Sequence, residues 1–556
     1  MEKEMTITHE ADVLVIGGGA AGSIAAIGAK DAGAGRVLLV NKGFLGRTGI
    51  TASTQGALTG VLQSPDEPER FVQDMLKCGH QLNDVGHVRR YVNEINAGAV
   101  LDLERLGVTF DRDADDKLRA LKVGGHSFPR MLMATWLTST TILRYGLIPQ
   151  ILRNGINVVD QMIITKLMLD DGRVCGAVGL NARTGTIEVF RAKAVILATG
   201  NAGQLFGESA GLSATGDGYS LAYQAGASLR DMEFVSCTIG LAHPEGLRGK
   251  VIGEPSTIPG SKPQLFNALN ERFLEKYYPD TTLFTKDMYM LGIARELKAG
   301  RGTPHGGVWY DFSNLDPDGP SNPFVMQVLG MLDESIRKQG VLECTLAPYY
   351  FPGGVEYDEH HESSVPGLFV AGEVAGGLHG AERMASTAMA EAVVFGQRAG
   401  RCAAAATLER PSAKINPEDV VRETKRLYDM LEQKGTQRTL EVRRRLQTVM
   451  WDRVGFLRNE ASLTAAQRAL EQIGHEDFPA VGIRSKNPKA NLDWVEHIEN
   501  QFLLDCATMV TSAALQRTES RGSHYREDAP AETPEWVKKI ILQKEGDRMQ
   551  TNVRDV

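Results

Sequence analysis

The sequence predicts an α/β protein built on a doubly wound parallel sheet, interrupted by an inserted domain and followed by a helical one; three observations carry that reading. First, an apolar β-branched run, Asp12-Val-Leu-Val-Ile16, stops at Gly17-Gly18-Gly19-Ala20-Ala21-Gly22 and passes into Ala- and Ile-rich helical sequence up to about Ala32. A second apolar run, Arg36-Val-Leu-Leu-Val40, follows, so the order is strand, glycine turn, helix, strand. Second, two later runs, 194–199 and 367–371, end the same way, on Gly200-Asn201-Ala202-Gly203 and on Gly372-Glu373. Third, from about residue 411 the chain becomes charged and helix-periodic.

Each element has its own justification. The stretch 229–345 is mixed in pattern and rich in Pro and Gly, and the strand code of the sheet resumes only after it, so it reads as an inserted domain. Val442, Leu446, Val449, Met450, Val454 and Leu457 recur at three- and four-residue steps, which gives a helix one apolar face. A second helix, about 492–518, is more apolar all round and so more buried. The expected division is 1–228 and 346–410 for the two parts of a Rossmann-like nucleotide-binding domain, 229–345 for the inserted domain, 411–530 for a helical packing or interface domain, and 531–556 for a tail.

Composition removes several classes of function. At 556 residues the chain is too long for a single small binding module, and 42% hydrophobic with 59 glycines is a globular profile. A net charge of -8 argues against nucleic acid, which is bound through clustered Lys and Arg. Cys78, Cys175, Cys237, Cys344, Cys402 and Cys506 lie far apart without a CxxC, so neither a metal centre nor a disulfide scaffold is encoded and a reducing compartment is expected. No window approaches a membrane span and no charged-then-apolar leader opens the chain, which predicts a cytoplasmic protein that meets a membrane only through a partner.

The glycine turn is the most specific local signal. Gly17 allows the tight turn, Gly19 lets backbone N–H groups approach a diphosphate, and Gly22 permits close packing of helix on strand; Ala20 and Ala21 open the helix whose dipole faces the phosphates. Where the second strand ends, Asn41-Lys42 stands in place of the carboxylate that a nicotinamide dinucleotide needs for its ribose, whereas a flavin dinucleotide tolerates an amide there.

Nine ordered segments resemble the flavoprotein subunits of the succinate dehydrogenase and fumarate reductase family, which includes L-aspartate oxidase and the adenylylsulfate reductase α-subunit. They are Gly17 to Gly22; Thr51-Ala-Ser-Thr-Gln55-Gly56; Gly124-Gly125-His126-Ser127; Ala198-Thr199-Gly200; Thr215-Gly216-Asp217-Gly218; Asp231-Met-Glu-Phe234; Gly372-Glu373-Val374; Gly377-Leu378-His379-Gly380-Ala381-Glu382-Arg383; and Glu519-Ser520-Arg521-Gly522-Ser523-His524. The resemblance implies FAD, bound by a Rossmann-like sheet domain with an inserted α+β capping domain over 229–345 and a C-terminal helical domain, with Gln55 and Gly56 beside its ring system, Asp217 and Glu373 hydrogen-bonding it, and Thr199, Gly200, Ala388 and Met389 in the same pocket. Relatives that attach FAD covalently use a histidine shortly before Gln-Gly; Arg47-Thr48-Gly49-Ile50 has none, so non-covalent FAD is expected.

The family's chemistry is hydride exchange between the flavin and a carbon next to a carboxylate, with cations to hold the carboxylate. Arg383 matches the substrate arginine, the alternative being an ion pair with Glu382 or Asp217; His379 shares its loop. His126 is either an active-site or a structural histidine, with Arg130 nearby. Three departures follow. After Phe234 the expected histidine is missing, and either Cys237 replaces it or an insertion displaces it to His243; the expected Arg-Gly-Glu-Gly-Gly is absent from 253–263; and Tyr349 stands where a second histidine precedes Gly353-Gly354. Arg248, Lys250 and Lys262 are candidate replacement cations, His360-His361 reads as a solvated loop, and Arg521 with His524 as a structural pair or a partner contact. The implied activity is an FAD-dependent oxidoreductase that acts on a carboxylate-bearing small molecule, with an iron–sulfur partner subunit exchanging its electrons. Three alternatives remain open: a sulfur-oxyanion reductase, an L-aspartate oxidase, and a flavoprotein that only relays electrons.

Overall fold

The computed structural model describes residues 7–134, 137–207, 211, 213–253, 264–279, 285–313, 330–332, 334–411 and 414–556. Lys262 and most of the segment 253–263 lie outside them. The first strand, Ile7–Ile16, runs parallel to Val37–Asn41 on one side and to Ile187–Leu197 on the other. Asn157–Asp160 extends the parallel sheet at one edge. The strand Ile187–Leu197 forks: its first half pairs antiparallel with Arg173–Asn181, and its last residues pair parallel with Leu368–Val370. Helix Ala20–Asp31 covers one face and packs on Thr387–Glu409 through small residues, a Cβ on Gly396 or Gly28 falling 2.7 Å from a backbone oxygen of the other helix.

The inserted interval carries its own antiparallel sheet, Ser236–Leu241, Val341–Tyr350, Val308–Asp311 and Gln264–Phe266 in spatial order, with a separate apolar core. Its last strand runs on to Tyr350, which carries a lid strand back into the sheet domain. Beyond 411 the periodic stretch forms Thr439–Val449 and a wider turn to Val454, and the more apolar helix is Leu492–Gln516, with Trp494, Leu503, Cys506 and Val510 buried.

The segment read as a tail is a hairpin. Lys538–Glu545 pairs with Arg548–Asp555 and with Leu229–Arg230, where the chain enters the lid. Burial of Ile540, Ile541 and Leu542 holds it there. Among the described residues no helix is long and apolar enough to cross a membrane.

Candidate functional site

The ends of the parallel strands, the lid and the first helix enclose a cavity of about 1410 Å³. That exceeds the volume of an ordinary small-molecule pocket, and leaves room for a dinucleotide and a second ligand. At one end the glycine turn does what its spacing requires. Gly17 has φ +116°, a region closed to most side chains, and a Cβ there would overlap the carbonyl of Ala198. Gly22 does not line the cavity; a Cβ on it would overlap the carbonyl oxygen of Gly17, so its bareness lets the helix seat against the turn. Helix Ala20–Asp31 begins at Gly19, which brings no side-chain cap, and has no acidic residue in its first turn; Thr51 Oγ1 accepts from the Ala20 N–H at 3.2 Å, and the N–H groups that follow are left for an anion.

Asn41 and Lys42 both line the cavity. Burial works against the Lys42 ammonium, but ion pairs at 3.0 Å to both Asp217 and Glu499 outweigh it and raise its pKa; its Nζ also donates to Thr215 at 2.6 Å. Asp217 is therefore paired to Lys42, which answers the question of an Arg383–Asp217 pair in the negative. Gln55, Gly56, Thr199, Gly200, Ala388 and Met389 all face the same space. Glu373 is half-buried in the cavity wall, and burial pushes its carboxyl up to about 8. Asn201 Nδ2 at 2.7 Å and the Phe351 N–H at 3.1 Å both donate to its Oε1, leaving Oε2 to the cavity. A helix start open beyond Ala20, a bare glycine cradle and a half-buried acid with one oxygen unengaged fit a dinucleotide with ribityl hydroxyls. An acid whose folded pKa lies above its unfolded value binds the extra proton in the folded state, so stability falls as pH rises from about 4.5 to about 8. Glu373→Gln is expected to flatten that fall in the melting temperature of flavin-free protein.

At the other end Arg383 is buried between the rings of Tyr349 and Tyr350, 5.1 and 4.8 Å from their centroids. Its Nη2 donates to the Tyr349 hydroxyl at 2.6 Å and its Nη1 to the Met384 carbonyl at 2.8 Å, while Nε has no partner. Glu382 pairs instead with Lys286, at 2.7 Å. Lys286 begins the lid helix Lys286–Lys298, lines the cavity, and donates to the Tyr349 hydroxyl at 2.9 Å. It was missed in the sequence, although a cation in the first turn of a helix opposes the dipole and signals an outside partner. Lys250, the one described candidate cation that reaches the cavity, donates to Ser53 O at 3.2 Å, and burial lowers its pKa. Arg248 instead braces Ala242 O and His305 O.

His126 lines the cavity, and burial pushes its imidazole down to about 4. Its Nε2 lies 2.9 Å from the Ala385 carbonyl, which fixes the hydrogen there and leaves Nδ1 a lone pair without a partner. Arg130 is structural, clamped by Asp66 and Asp74 at 2.6 Å each.

Two expected site residues are displaced. On the strand Ser236–Leu241 alternate side chains face opposite ways, so Cys237 joins Ile239 and Leu241 in the lid core while Thr238 faces the cavity; burial pushes the Cys237 thiol well up. His379 is also absent from the cavity wall. Its loop turns at Gly380, packed on the Gly79 carbonyl, and the imidazole is bonded to Glu391 at 3.0 Å, behind Tyr350. Of the paired histidines His360 is exposed, but His361 is buried and stacked on Tyr357. Arg521 is held by Glu519 and Glu532, and His524 by Arg458.

Comparison with known proteins gives the same assignment. Residues 12–389 match the FAD binding domain model, and residues 443–556 the model for the fumarate reductase flavoprotein C-terminal domain. The first-lettered subunit of the fumarate reductase (CoM/CoB) of Methanothermobacter marburgensis is 33% identical over 554 residues, 98% of each chain. A fumarate reductase flavoprotein subunit of Mycobacterium tuberculosis is 30% identical over 98% of this chain and 96% of its own. The quinol fumarate reductase FrdA of E. coli superposes with a TM-score of 0.92 at 26% identity, covering 99% of this chain and 97% of that one. The chain thus belongs to the succinate dehydrogenase and fumarate reductase flavoprotein family, as an FAD-dependent oxidoreductase of that type.

Proposed function

We propose that this flavoprotein exchanges a hydride between FAD, held non-covalently, and a small molecule carrying a carboxylate, and that it trades electrons with an iron–sulfur partner subunit in the cytoplasm, peripheral to the inner membrane. The observation that carries the reading is the cluster at the far end of the cavity: a buried guanidinium with an unpartnered Nε and an ammonium, Arg383 and Lys286, converge where a small anion would sit beside the ring system. Gly17, Gly19, Lys42, Asp217 and Glu373 would hold the cofactor, which supplies the hydride chemistry when bound. Arg383 would grip the carboxylate with charge-assisted bonds, and the lid would keep water out. The segment Arg47-Thr48-Gly49-Ile50 carries no histidine to form a covalent bond to the flavin.

Mixing the reduced protein anaerobically with fumarate and other enoates tests the reaction. Reappearance of the oxidised flavin spectrum is expected for at least one of them, and silence across the panel refutes the reading. Acid precipitation is expected to release all the yellow colour to the supernatant; colour retained on the pellet would mean a covalent link.

A further inference from the structure

Hydride exchange at a carbon–carbon double bond needs a proton as well, delivered to the carbon that the hydride does not take. We propose that the Tyr349 hydroxyl is the proton donor and that Lys286, backed by Glu382, reloads it; this rests on the enoate reading given above.

The argument is the direction of one hydrogen. A phenol oxygen has one O–H and two lone pairs. At Tyr349 both lone pairs are engaged, by Arg383 Nη2 at 2.6 Å and by Lys286 Nζ at 2.9 Å. The hydrogen must point elsewhere, and no acceptor for it exists among the described residues, while the side chain is half-buried and faces the cavity. The two cations stand ready to neutralise the charge that a departing proton leaves on the oxygen. Neighbouring groups are poorer donors. His126 is neutral and spends its hydrogen on Ala385 O. Burial pushes the Cys78 thiol up to about 12. Arg383, though buried, is held in its charged form by the surrounding phenols and carboxylates.

The step balances. The double bond accepts the electron pair of a hydride from the reduced flavin, which is left oxidised and is re-reduced by two electrons from the partner subunit, and the carbon beside the carboxylate takes the proton. The Tyr349 O–H bond breaks, a C–H bond forms, and the O–H electron pair stays on the phenolate oxygen. Lys286 Nζ returns a proton along its hydrogen bond, and the amine recovers one from water by way of Glu382, which it touches at 2.7 Å. In the oxidising direction each transfer reverses.

The test uses the yellow holoprotein and three variants, Tyr349→Phe, Lys286→Met and Tyr349→3-fluorotyrosine. Malonate, which cannot react, reports binding through the flavin spectrum; fumarate, or whichever enoate oxidises the wild type, reports the rate in a single turnover. For Tyr349→Phe, malonate affinity is expected to stay within about threefold while the rate falls roughly 100-fold or more, the usual worth of a positioned acid. Lys286→Met should slow the single turnover less than Tyr349→Phe does. Tyr349→3-fluorotyrosine, whose hydroxyl is more acidic, should move the limb of the pH–rate profile to lower pH. A Tyr349→Phe rate within tenfold of wild type overturns the assignment, as does a loss of malonate binding that accounts for the whole loss of rate, or a pH limb unmoved by fluorination. A wild type inert to every acid instead overturns the function proposed above and takes this assignment with it.

Discussion

Replacing Arg383 with alanine is expected to leave the protein yellow and to stop its turnover of a carboxylate substrate. The bonds of the guanidinium go to Tyr349 and the Met384 carbonyl, none of them to the glycine turn or Lys42. Removing one partner of a buried, hydrogen-bonded charge pair costs about 2–5 kcal/mol. That is roughly 30- to 5,000-fold in kcat/KM. Arg383→Lys should recover only part, because an ammonium cannot fork to two oxygens while packed against two phenol rings. Flavin content by absorbance and steady-state kinetics on the same preparation check both statements. A colourless Arg383→Ala protein would assign the residue to the cofactor instead.

Gly22→Ala is expected to have the opposite signature: a folded protein without colour. The added methyl would collide with the Gly17 carbonyl oxygen, and both sides of that collision are backbone, so no side-chain movement relieves it. Overpacking of this kind costs about 1–3 kcal/mol. Here the distortion falls on the turn that carries the diphosphate, so FAD affinity should drop by roughly 10- to 100-fold or more. Gly19→Ala makes a useful contrast. Its methyl meets only the Thr51 hydroxyl, at 3.3 Å, so the turn keeps its shape and the methyl intrudes where the phosphates approach. Far-UV circular dichroism should match wild type in both, and the ratio of flavin to protein absorbance should fall in both.

What the sequence made legible was local. The first strand, the glycine turn and the helix after it follow from neighbouring residues, and the structure has them at Ile7–Ile16 and Ala20–Asp31. The cofactor end of the site was readable for the same reason, since Gly17, Lys42 and Asp217 each sit where a strand ends or a helix begins. The substrate end was not, because it is assembled from parts that meet only in three dimensions. Lys286 reaches Tyr349 through docking of the lid helix on a strand 63 residues further on. Cys237 and Thr238 differ by one position, and a one-residue difference on a strand is a change of face, which no motif match resolves. The closing hairpin was misread as a tail because its apolar core is only Ile540-Ile541-Leu542 between charged residues, and its partner strand lies far upstream.

That hairpin also sets a time for the enzyme's maturation. Asp231 and Ile540 are joined by backbone and side-chain bonds across 309 residues of sequence. Chains emerge from the ribosome start first, so the root of the lid waits, unzipped, until almost everything else has been made. A flavin captured by the nascent glycine turn would have nothing above it. The root of the lid is therefore pinned late, when the final strands dock, and a nick just ahead of Lys538 should loosen that root in a protein that is still yellow.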